Sequence, residues 1–106
     1  MIDITFRPET YELELTGHAG HGVKGEDIVC SAISTLFYTL GKSLIDSSPM
    51  LLEEPIIRDE EGNGYICCHP KEEYVGYIAR TYWTILTGIK LVMESYQEYI
   101  NFTIEE

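Results

Sequence analysis

Ile2-Asp3-Ile4-Thr5-Phe6-Arg7-Pro8-Glu9-Thr10-Tyr11-Glu12-Leu13-Glu14-Leu15-Thr16 opens the chain with two runs of alternating apolar and polar residues, broken at Pro8-Glu9. A period of two puts Ile2, Ile4 and Phe6 on one face and Tyr11, Leu13 and Leu15 on the matching face of the return strand, which reads as a β-hairpin half-buried on a core. The pattern then changes. Gly17, Gly20, Gly22 and Gly25 punctuate a stretch without apolar period, read as a loop through Glu26. Long loops in compact domains are often functional.

Behind this loop Asp27 is a suitable N-cap, and Val29, Ala32, Ile33, Leu36, Phe37, Leu40 and Leu44 fall on one helical face. A first helix is predicted from about Ile28 to Ile45, ended by Ser47, Ser48 and Pro49. Pro55 to Asp59 and Tyr65 to His69 are short strands across a turn-rich connection, and Pro70 suits the first turn of a second helix. In that helix Val75, Ile78, Tyr82, Ile85, Ile89, Val92 and Tyr96 form a seam, and Ile100, Phe102 and Ile104 make a last strand. Tyr74, Tyr77, Trp83 and Leu86 add apolar surface outside the seam, for which self-association would supply a second contact. The predicted fold is α+β: a two-layer sandwich of order ββαββα plus a terminal strand, a mostly antiparallel sheet with two helices, in one domain over residues 1–106.

Composition narrows the function classes. The 106 residues carry 18 acids against 7 Lys and Arg, a net charge of −11, with 44% hydrophobic residues to build a core. Such a chain repels polyanions, and its cations are scattered singly, so direct nucleic-acid binding is not expected. No apolar run is read as approaching a membrane span, and the start Met1-Ile2-Asp3-Ile4 does not resemble a signal peptide, so a cytoplasmic location is expected. Cys30, Cys67 and Cys68 are odd in number and two are adjacent, which suits reduced thiols better than a disulfide framework.

Reactive side chains concentrate at the loop and the helix behind it: His18, His21, Asp27 and Cys30. With Asp27 as cap, Cys30 would occupy the third helical position, where free N–H groups and the helix dipole favour thiolate. An imidazole from the loop would take the thiol proton and later protonate a leaving amine. Packing alone is the competing role for Cys30, and capping alone for Asp27. Ser34, one turn after Cys30, would bond the thiolate, the substrate or the helix carbonyls. A zinc site from the histidines, Cys30 and Cys67-Cys68-His69 is disfavoured because adjacent cysteines are not a C-x2-C knuckle. The glycines lack the G-K-[ST] ending of a phosphate loop. No metal and no cofactor are expected.

Gly17-His18-Ala19, a glycine-containing spacer, and Gly25-Glu26-Asp27-Ile28-Val29-Cys30-Ser31-Ala32-Ile33-Ser34 resemble the signature of the ribosomal-processing cysteine protease family, the Prp or YsxB-like proteins. The likeness lies in G-H-A and G-x-D-I-V-C-x-A-x-S, with twelve residues from histidine to cysteine, and extends over essentially the whole chain. Ser31 departs from the alanine usual after the cysteine. The resemblance implies His18 and Cys30 as a catalytic dyad, Asp27 and Ser34 in support, and Gly17, Ala19, Gly20, Gly22 and Gly25 in a mobile substrate-binding loop. It implies a homodimer that removes an N-terminal extension from a large-subunit ribosomal protein, or acts on a phage structural protein with a similar site. From other classes, a non-catalytic peptide- or ribosome-binding module and a small zinc-binding protein remain as alternatives.

Overall fold

The computed structural model describes residues 1–17, 24–60 and 62–106, with the backbone alone for 24–27. Strands β1 (Ile2–Arg7) and β2 (Glu12–Thr16) form the predicted hairpin, followed by helix α1 (Lys24–Asp46). Strands β3 (Ile56–Glu60) and β4 (Asn63–Cys67) make a second hairpin, helix α2 (Val75–Tyr96) follows, and β5 (Ile100–Ile104) closes the chain. The sheet order is β3-β4-β2-β1-β5, antiparallel throughout except for β5, which runs parallel to β1. The expected α+β sandwich is therefore the fold.

Alternation decides which face carries the helices. Ile2, Ile4, Phe6, Leu13, Leu15 and Ile66 are buried on one face, joined by Val29, Ile33, Phe37, Leu40 and Leu44 from α1 and Ile78, Tyr82, Ile85, Leu86 and Ile89 from α2. Each such side chain contributes about 1.5–3 kcal/mol when taken out of water. The other face is polar. There Arg7 donates to Glu14 at 3.2 Å and to Glu105 at 2.9 Å, and Glu12 accepts from Tyr65 Oη and Thr10 Oγ1. At the lower turn Tyr11 adopts φ +55°, and the buried Tyr82 hydroxyl donates to its carbonyl at 2.7 Å, pinning the turn to α2.

Several expectations need correction. The first helix begins at Lys24, so Lys24, Gly25 and Glu26 belong to the helix and not to the loop. Pro70 does not start the second helix: it forms a bridge with Leu51, and a short helical turn at Glu72–Tyr74 leads into α2. Leu86 is fully buried and Trp83 packs edge-on to Phe6 at 5.4 Å, so both find their second contact inside the chain; Tyr77 stays 57% exposed. Finally, the 19 residues Ile28–Asp46 are long and apolar enough for a membrane span by length and composition. Their apolarity has a nearer cause, since one side of α1 is core.

Candidate functional site

Gly17, at the end of β2, has φ +82°, and a Cβ there would lie 2.7 Å from the Met1 carbonyl oxygen. Both the left-handed backbone and the close approach require glycine. This residue fixes where the chain leaves the sheet toward the next motif residue. His18, Ala19, Gly20, His21 and Gly22 lie outside the described residues, as do the side chains of Glu26 and Asp27.

Asp27 is the fourth residue of α1, so it is not the N-cap, and Gly25 is in the first helical turn. The same shift makes Cys30 the seventh helical residue instead of the third. The helix dipole acts chiefly within the first turn, so it no longer supplies the expected bias toward thiolate at Cys30. Nor is the N–H of Cys30 an open donor, since in a continuous α-helix it bonds to the carbonyl four residues back. The N–H groups without an acceptor inside the helix belong to the first turn, ahead of the thiol.

Cys30 itself is 8% exposed and belongs to the core cluster. The reason is that α1 is walled on two sides. Phe37 packs against β4 so closely that a Cβ on Gly64 would lie 2.9 Å from its ring, and Leu36 fills the space beside Gly88 of α2. Ser34 sits one turn beyond Cys30 and is half-buried. Thr35 and Thr39 donate back to the carbonyls of Ser31 and Thr35, whereas Ser34 makes no such bond to the described residues.

The other two thiols are held away from nucleophilic chemistry. Cys67 lies on the polar face in the row of Glu12, with its Sγ 3.5 Å from the Thr10 carbonyl, and Cys68 is in the core, 3.5 Å from the Tyr82 hydroxyl. Burial pushes both thiols up from the ordinary cysteine value, with Glu12 and Glu53 adding to the rise at Cys67. Because the pair points to opposite sides of the sheet, it is poor geometry for joint zinc ligation. His69 instead meets the Glu53 carboxylate at 2.8 Å. Cys30, on a rigid helix that follows the histidine-bearing segment, is the remaining thiol.

The family model for the cysteine protease Prp matches residues 1–101. The chain belongs to that family. Among solved structures, the essential ribosomal processing protease Prp from S. aureus in complex with a substrate peptide is 26% identical, with a TM-score of 0.77, covering 99% of this chain and 100% of that one. The same Prp with a covalently linked product peptide is 25% identical, with a TM-score of 0.70 and coverages of 98% and 97%. SMU.848 from Streptococcus mutans is also 25% identical, with a TM-score of 0.70 and coverages of 97% and 90%. No curated protein sequence gave a significant match. As a Prp-family member the chain is a cysteine peptidase with a peptide substrate, which displaces the non-catalytic and zinc-binding alternatives.

Proposed function

We propose that this cysteine peptidase removes an N-terminal extension from a large-subunit ribosomal protein, with Cys30 as nucleophile and His18 as its acid–base partner, working in the cytosol as a homodimer. The observation that carries the reading is the Prp-family match over residues 1–101, which spans Cys30 on α1 and the segment bearing His18. The structural relatives named for ribosomal processing, one holding a substrate peptide, support the substrate class.

In the reaction, Cys30 Sγ attacks the scissile carbonyl carbon while His18 takes the thiol proton. The C–N bond then breaks, His18 returns the proton to the leaving amine, and a thioester remains on Cys30. Water adds to the thioester carbonyl with His18 as base, and the S–C bond breaks to release the carboxylate product and the thiol. Burial of Cys30 at one end of a packed helix fixes the nucleophile, so the substrate and the histidine are brought to it. The net charge of −11 favours encounter with a cationic ribosomal protein.

The test is cleavage of a ribosomal-protein N-terminus bearing its extension. Cys30→Ser and Cys30→Ala should abolish cleavage with unchanged circular dichroism, and His18→Ala should do the same. Substantial cleavage by the Cys30 variants would overturn the mechanism, and cleavage of a phage structural peptide in preference to the ribosomal one would overturn the substrate.

A further inference from the structure

The sheet ends in β3 on one side and β5 on the other, and the two edges are built differently. β3 runs Arg58-Asp59-Glu60 in succession, the kind of charged edge that discourages addition of another strand. β5 reads Ile100-Asn101-Phe102-Thr103-Ile104, without a charge or a proline and rich in β-branched and aromatic residues. Nothing in that strand guards its edge.

The register with β1 sets which backbone groups of β5 stay open. Ile104 is registered on Phe6 in the parallel ladder, and the Glu105 N–H donates to the Phe6 carbonyl at 2.9 Å. Backbone groups alternate sides along a strand, so Asn101, Thr103 and Glu105 face β1. The N–H and C=O groups of Ile100, Phe102 and Ile104 therefore point away from the sheet, and among the described residues no strand pairs with them.

Charge selects the occupant. Glu98 precedes the strand, Glu106 and the Arg7-paired Glu105 follow it, and Asp3 accepts from Asn101 at 3.1 Å beside it. A second copy adding antiparallel about Phe102 would set Ile100 opposite Ile104, and so bring Glu105 and Glu106 of each copy up to the helical turn Gln97–Tyr99 of the other, which carries Glu98. Like charges placed opposite destabilise a strand pair. A chain with Lys or Arg flanking its paired residues meets opposite charge at the same places.

We propose that the β5 edge docks an extended basic peptide segment, which adds to the sheet as a sixth strand. The proposal rests on the reading of the protein as a peptidase for a cationic ribosomal protein, and it assigns the basic chain of that substrate a contact on a strand separate from the Cys30 helix.

The test uses the full chain and a synthetic peptide of about ten residues alternating lysine with valine and threonine. Amide hydrogen exchange should slow at Ile100, Phe102 and Ile104 on adding this peptide, and not on adding its glutamate counterpart. Ile104→Pro removes an N–H that points away from β1 and should weaken peptide binding about tenfold, while Ile104→Val should bind as the parent does. Unchanged exchange, or equal protection by the glutamate peptide, would overturn the proposal. So would self-association of the parent protein that Ile104→Pro abolishes, since the edge would then belong to a second copy. If the proline variant fails to fold, the comparison of the two peptides on the parent protein decides alone. Because exchange is read without cleavage, failure of the ribosomal-substrate reading would show separately, as an uncut extended N-terminus.

Discussion

Replacing Gly17 by alanine tests the strand end from which the histidine-bearing segment departs. Two penalties act there. A φ of +82° costs an L-residue about 1–2 kcal/mol. A Cβ 2.7 Å from the Met1 carbonyl oxygen must also open to an ordinary contact of 3.4 Å or more, against the backbone that leads into the fully buried Ile2. Forcing a packed region apart costs about 1–3 kcal/mol, so the sum is on the order of 2–5 kcal/mol. For a domain of this size each kcal/mol lowers the melting temperature by roughly 4–8 °C. Urea unfolding should show a lower midpoint with an unchanged slope. Gly17→Asn separates the two terms, because asparagine tolerates the left-handed region yet brings the same Cβ. It should recover no more than the backbone penalty, about 1–2 kcal/mol. A loss below about 0.5 kcal/mol for Gly17→Ala would refute the reasoning, being within the range of ordinary surface changes. Full recovery by Gly17→Asn would refute the steric half of it.

Glu12 is held below the usual 4.5 by hydrogen bonds from Thr10 and Tyr65, so its contribution to stability is present above pH 4.5 and is lost as pH falls through its lowered folded value; Glu12→Gln should flatten that acid limb in urea titrations at successive pH values. Tyr82→Phe leaves the Tyr11 carbonyl without its 2.7 Å donor and should cost about 1–3 kcal/mol by the same measurement. The specificity constant for an extended ribosomal-protein substrate should fall from low to moderate ionic strength, because screening weakens the attraction of a −11 chain for a cationic partner; a salt-independent value would reduce the acidity to a matter of solubility.

The elements with clean periodicity were legible in the sequence. Alternation through Ile2–Phe6 and Leu13–Leu15 gave the hairpin and its buried face, and the three-four spacing gave both helical stripes. What local pattern could not give was anything decided at a distance. Gly25-Glu26-Asp27 reads as a loop followed by a cap, yet the helix continues back through the glycine to Lys24. Pro70 has the look of a helix start, but its place is set by a bridge to Leu51, nineteen positions earlier. The parallel pairing of β5 with β1 joins opposite ends of the chain, and no local signal encodes it. The depth of Cys30 depends on how closely α1 meets both sheet and second helix, which the pattern of one helix does not contain. For the site, residue types and spacing sufficed to single out Cys30 through its motif, while the mechanism suggested for its activation relied on a helix start that lies elsewhere.

The same parallel pairing bears on how the protein is made. β1 is an interior strand whose outer neighbour is β5, so β1 waits for a strand synthesised long after it. At translation rates of about 5–20 residues per second, nearly the whole chain, roughly 5–20 s of synthesis, separates Ile2 from its partner Ile100. Through that interval the nascent hairpin carries an uncovered strand side. A chain stalled or truncated shortly before Ile100 would hold α1, α2 and four of the five described strands and still lack the outer neighbour of β1, a form that quality-control proteases and chaperones would meet in place of the finished enzyme.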